Sequence, residues 1–111
     1  MSNETDTKIR ELMARMPEAF NPAKAAGVDA TIVYQLTGEG GSVWTSRIAD
    51  GQCSVEEGQK EENPTLTIIM DADDYVEMMA GRLDGMQAFM TGKIKVQGDI
   101  MLASRLMTFF S

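Results

Sequence analysis

Between Pro64 and Asp99 the chain changes its hydrophobic period repeatedly, and each change is marked by a residue suited to a boundary. Leu66, Ile68 and Met70 alternate with Thr65, Thr67 and Ile69, a period of two rich in β-branched residues, which predicts a strand. Asp71 stands where a helix N-cap belongs, and Asp73 and Asp74 follow in the first turn, where carboxylates suit the positive end of the helix dipole. Tyr75, Val76, Met78 and Met79 form the apolar side of that helix, and Gly81 is placed to end it. Asp84 caps a second, shorter helix with Met86, Phe89 and Met90 as its apolar face and Gly92 as its stop. A strand follows, with Lys93, Lys95 and Gln97 on one side and Ile94 and Val96 on the other. The five methionines from Met70 to Met90 fit two uses, as gap-fillers in an ordinary core or as an adaptable surface for a partner of variable shape.

The flanking segments supply the rest of a layered domain. After a frayed start over residues 1–5, Ile9, Leu12, Met13 and Met16 form one stripe of an amphipathic helix from Asp6, which Pro17 should end near Met16. Phe20 to Gly27 reads as a turn and a short helical piece. Three strands then form a meander. Val28 to Thr37 presents Ala30, Ile32, Tyr34 and Leu36 on one face, and Ser42 to Ala49 presents Trp44, Ser46 and Ile48. Gln52 to Glu57 carries Cys53 and Val55 together, after the hairpin signal Asp50-Gly51. The Gly38 to Gly41 turn is not a phosphate loop, because a strand follows it and no Lys-Ser/Thr pair is present. After Asp99 the last helix has Leu102, Leu106, Phe109 and Phe110 as one face, with Ile100, Met101, Ala103 and Met107 in surplus. Such a helix is buried on two sides or faces something apolar. The pattern predicts an α+β domain, residues 1–111, whose mixed sheet of about five strands is covered by helices on one side.

Composition limits the partners. The net charge of −7, with eight acidic residues against Lys60 alone between Glu56 and Glu77, lacks the basic footprint that nucleic acid requires. The same charge disfavours an anionic membrane surface, so any membrane contact is expected to be transient. No apolar run is long enough to span a bilayer, and the polar Met1 to Lys8 segment is not a secretory signal. A lone Cys53 excludes an internal disulfide and suits a reducing compartment, which places the protein in the cytoplasm.

Catalytic and metal chemistry find little to work with. There is no histidine, and one cysteine without histidine makes neither a nucleophilic pair nor a zinc site. Asp71, Asp73, Asp74 and Glu77 echo a calcium loop, but Tyr75 interrupts it and helix capping explains them better. Tyr34, Tyr75 and Asp99 are the only candidates for an enolate-stabilising pocket, and Asp99 is equally explained as a helix cap. No cofactor, no metal and no enzymatic activity are expected.

The run from Met79 to Asp99 follows the pattern G-x-L-x-x-M-x-A-F-x-x-G-K-I-K-V-x-G-D and resembles the signature of the sterol carrier protein 2 (SCP-2) domain family. Element order and length are similar throughout the chain. The resemblance implies a non-catalytic carrier whose helices and sheet enclose an apolar tunnel for a long-chain lipid: fatty acid, acyl-CoA or a sterol-like molecule. Met70, Val76, Met79, Met86, Phe89, Met90, Leu102, Leu106, Phe109 and Phe110 would line that tunnel, the last four closing one end. The chain ends Thr108-Phe109-Phe110-Ser111 rather than Ser-Lys-Leu, so no peroxisomal address is implied. The alternative is an interaction or dimerisation module, in which the apolar surplus buries against a partner, and monomer and homodimer both stay open.

Overall fold

The computed structural model describes residues 3–110. Helix α1 (Glu4–Ala19) precedes strands β1 (Ala30–Thr37), β2 (Ser42–Ala49), β3 (Gln52–Glu57) and β4 (Leu66–Asp71). Helices α2 (Ala72–Met79) and α3 (Gly85–Met90) lead to β5 (Ile94–Gly98), and α4 (Ile100–Leu106) runs into a 3-10 turn, Met107–Phe110. The five strands form one mixed sheet in the order β3-β2-β1-β4-β5, with β1 and β4 parallel and the other pairs antiparallel.

The register sorts the side chains into two faces. Residues paired across strands share a face, so Trp44, Tyr34, Ile68 and Val96 form one row across four strands. Leu36, Met70 and Ile94 form the next. This inner face is packed by Ile9, Met13 and Met16 of α1, Ala72 and Tyr75 of α2, Leu102 and Leu106 of α4, and Phe109. The opposite face carries Thr31, Arg47, Ser54, Glu56, Lys95 and Gln97 as partly or fully exposed positions. The 58–65 loop folds back toward it, Thr45 donating to the Gly58 carbonyl at 2.7 Å and accepting from the Lys60 N–H at 3.0 Å.

Each boundary residue acts as its chemistry suggests. The carboxylates of Asp71, Asp84 and Asp99 accept from the first backbone N–H groups of α2, α3 and α4. Gly81 and Gly92, at φ 79° and 82°, close α2 and α3 with the same paired geometry. In one, Arg82 N–H donates to Glu77 O and Gly81 N–H to Met78 O; in the other, Lys93 N–H donates to Ala88 O and Gly92 N–H to Phe89 O. Asp50 and Gly51 both adopt positive φ, 54° and 73°, as a tight hairpin turn requires.

Three expectations are corrected. Helix α1 begins at Glu4, capped by Asn3, so residues 3–5 are ordered, while Met1 and Ser2 of the expected frayed segment lie outside the described residues. The helix also continues through Pro17 to Ala19, because a proline so near a helix end removes one backbone donor without interrupting a long ladder. Residues 22–27 form turns rather than a helical piece.

Two stability predictions follow from this geometry. Nothing lies within 4 Å of a Cβ built on Gly81 or Gly92, so substitution there meets backbone strain alone. Alanine at either position should cost about 1–2 kcal/mol in denaturant titration, and asparagine distinctly less. Phe109 is fully buried, and its carbonyl accepts from the Asn21 N–H at 2.6 Å. Phe109→Ala should therefore cost about 3–5 kcal/mol, and the partly exposed Phe110, whose ring meets Phe20 at 5.8 Å, clearly less.

Candidate functional site

The residues expected to line a tunnel fall in three places. Met70, Leu102, Leu106 and Phe109 are buried in the main core, with Phe110 packed at its margin. Val76 and Met79 lie with Leu12 in a groove of about 210 Å³ between α1 and α2, whose rim carries Lys8, Arg15 and Arg82. Met86, Phe89 and Met90 point outward, 66%, 44% and 77% exposed. Ala88 is instead the buried residue of α3, so the expected apolar face of that short helix is turned to solvent.

Exposed apolar surface is concentrated in one part of the chain. Among the described residues the large exposed hydrophobic side chains are Met86, Phe89 and Met90 of α3, and Ile100, Met101 and Met107 at the chain's end. Helix α3 packs beside β5, and α4 beside β4 and β5. On the sheet beneath, burial falls toward both edges. Tyr34 and Leu36 of β1 and Leu66 and Met70 of β4 are buried, whereas Ile68, Ile94 and Val96 on this flank, like Cys53 and Val55 of β3 on the other, are only partly covered. Ile68, Ile94 and Val96 are partly buried hydrophobic positions outside the expected tunnel lining. Their signal was the alternation of Ile94 and Val96 against Lys95 and Gln97 on what proves to be an edge strand.

The opposite flank is closed by polar contacts. Arg10 of α1 donates to both oxygens of Glu57 at 2.8 and 3.0 Å, and its guanidinium lies 5.6 Å from the centre of the Trp44 ring. The Arg10 hydrogen bond holds the Glu57 carboxyl below its ordinary range. Thr5 donates to Asp73 at 2.5 Å and ties the start of α1 to α2. Thus α1 is pinned over β3 while the β5 side stays loosely covered.

No charged side chain is buried among the described residues. Glu77 pairs with Arg82 and Asp71 caps α2, so the acidic run has structural partners. The described residues contain no cluster of acidic, cysteine or histidine side chains able to hold a metal. Cys53 is half-buried 3.6 Å from the Ser46 hydroxyl, and burial pushes its thiol up, away from the reactive thiolate. Tyr34 and Tyr75 come together edge-to-face at 6.1 Å, but Asp99 is exposed and accepts from the Leu102 N–H at 3.0 Å. The geometry gives no convergent acid–base set. A concavity of about 390 Å³ on the outer face is lined by Thr31, Arg47, Ser54 and Glu56 among others, too polar for an apolar ligand. No described helix is long and apolar enough to cross a membrane.

Comparison with known proteins agrees with this architecture. The family model described as the SCP-2 sterol transfer family matches residues 9–111. Hydroxysteroid dehydrogenase-like protein 2 of Mus musculus is 28% identical over 98 residues, 88% of this chain but 20% of its own length. The chain therefore spans about a fifth of that relative. The solution structure of sterol carrier protein domain 2 of Helicoverpa armigera superposes with a TM-score of 0.77 at 26% identity, covering 96% of this chain and 88% of that one. Palmitated SCP2L2 from Aedes aegypti superposes with a TM-score of 0.73 at 26% identity, covering 96% and 91%. On the family match and the shared fold, the chain belongs to the SCP-2 sterol transfer family.

Proposed function

We propose that residues 1–111 act as one non-catalytic lipid carrier, holding a long-chain lipid between the inner sheet face and the α3–α4 flank. The observation that carries this reading is the coincidence of two features. Ile68, Ile94 and Val96 are incompletely covered, and the outward apolar side chains of α3 and α4 stand beside the same strands. Small inward rotations of those helices would lay Phe89, Met90 and Met101 over a ligand and create an enclosed tunnel. Methionine suits such a rearrangement because its unbranched side chain repacks readily. Family membership supports the lipid class, and a palmitated relative of the same fold supports an acyl chain as one occupant. The free Cys53 thiol supports a reducing, cytoplasmic setting.

The main energy of binding on this reading is area burial, at about 25 cal/mol per Å² of apolar surface, with ordering costs subtracted. Protein stripped of endogenous lipid should bind a fluorescent long-chain fatty acid saturably. Val96→Glu should weaken that binding more than tenfold, because it introduces a charge into the covered flank. A non-saturable titration of the stripped protein would sink the carrier reading. The same exposed methionines would suit a second copy of the chain. A stoichiometric, lipid-free dimer in native mass spectrometry, dissociated by Met90→Glu, is the outcome that favours that interface instead.

A further inference from the structure

The carrier reading leaves open what the polar end of the ligand meets, and the hydroxyls of two largely buried tyrosines bear on it. Tyr34 on β1 and Tyr75 on α2 are 4% and 2% exposed, their rings 6.1 Å apart. Neither hydroxyl has a hydrogen-bond partner among the described residues, whereas the buried Thr45 and Ser46 hydroxyls are bonded. Yet among the described residues no fully buried side-chain oxygen or nitrogen lacks a partner. The small accessible area of these tyrosines therefore includes the hydroxyls. Buried tyrosines ordinarily satisfy their hydroxyls, because an unpaired one loses its bonds to water without replacement.

The surroundings select the chemistry of a partner. Burial pushes both phenols up, and Tyr34 is raised further by the neighbouring Tyr75 and Cys53, so both are neutral donors at physiological pH. The only charged residue on the inner face of the strands is Glu57, at the exposed rim and engaged by Arg10. An ionised carboxylate reaching the tyrosines would find hydroxyls and, over the neighbouring Trp44, only the Arg10 guanidinium already engaged by Glu57 and Asp6, in a setting where an unpaired charge is costly. A neutral oxygen would find donors and shed less solvation.

The register also supplies a path. Tyr34 stands beside Ile68, and Ile68 beside Val96, so the row runs from Tyr34 to the half-open flank over two strand spacings, about 10 Å. Resting on the carrier reading above, we infer that Tyr34 and Tyr75 recognise the neutral oxygen of a lipid alcohol, ester or ketone, whose hydrocarbon crosses Ile68 and Val96 toward α3 and α4. The chain thereby favours neutral lipids over ionised fatty acids of the same length.

The test uses matched sixteen-carbon ligands, 1-hexadecanol, methyl palmitate, palmitate and 1-hexadecene, competing for a fluorescent apolar probe on the delipidated chain at neutral pH. Wild type should bind the alcohol and the ester more tightly than palmitate. Tyr34→Phe and Tyr75→Phe should each weaken the alcohol about five- to tenfold, the size of one buried hydrogen bond, and leave the alkene within about twofold. The ligand-free Phe variants should melt at or above the wild-type temperature, since no protein hydrogen bond is lost. Unchanged alcohol affinity in both variants, or a preference for palmitate that survives them, overturns the inference while leaving the carrier reading in place. A lower melting temperature in both ligand-free variants also overturns it, by revealing internal partners for the hydroxyls. Failure of wild type to bind any of the four ligands removes the carrier reading and this inference together.

Discussion

The parallel pairing of β1 with β4 is the constraint on which the rest of the structure depends. It sets Tyr34 beside Ile68 and Leu36 beside Met70, and β5 extends both rows by one strand. Parallel neighbours cannot be joined by a tight turn, so the chain must travel between them. Here it does so through the β2–β3 hairpin, which builds one side of the sheet, and returns by the 58–65 loop. The two halves of the inner face then have different character. The β2–β3 half is the product of a local meander, whereas β4–β5 encloses the α2–α3 pair, of which α2 packs into the core and α3 stays at the margin.

That division carries over to packing. On the β3 side, α1 is fastened by a bidentate Arg10–Glu57 pair, by the Arg10 contact with Trp44 and by Thr5 with Asp73. Exposed ion pairs contribute little stability individually, so their effect here is orientation more than energy. Ile9, Met13 and Met16 supply the burial. On the β5 side, α3 has six residues and buries only Ala88, and α4 has seven and buries Leu102 and Leu106. Short helices with few buried contacts are the parts of a fold that open at low cost. A carrier needs a firm wall and a yielding one, and this asymmetry supplies both.

Much of this was legible in the sequence because it depended on local chemistry. Asp71, Asp84 and Asp99 cap helices for reasons contained within a few residues, and Gly81 and Gly92 end them likewise. The strand faces followed from alternation, and Cys53 and Val55 do share the inner face with Ile48 and Ser46. What failed was orientation where local signals are short. Six residues make less than two helical turns, so the pattern of α3 identifies Met86, Phe89 and Met90 as a group without saying whether the group faces the sheet. The surplus on the last helix was visible, but its division between a buried Phe109 and an exposed Met107 falls in the 3-10 turn after Leu106. The partial exposure of Ile68 and Val96 was beyond local reading altogether, since it reflects what fails to cover them from elsewhere.

The central claim is that lipid lies on the half-covered rows of the inner face, and methyl-resolved NMR tests it most directly. Chain labelled at isoleucine and valine methyls, with a protonated long-chain lipid added, should show ligand-to-protein Overhauser contacts at Ile68, Ile94 and Val96. Ile9 and Ile48, beneath α1 and near β3, should show none. Contacts confined to surface methyls, or bound lipid with no contact at Ile68 and Val96, would contradict the account.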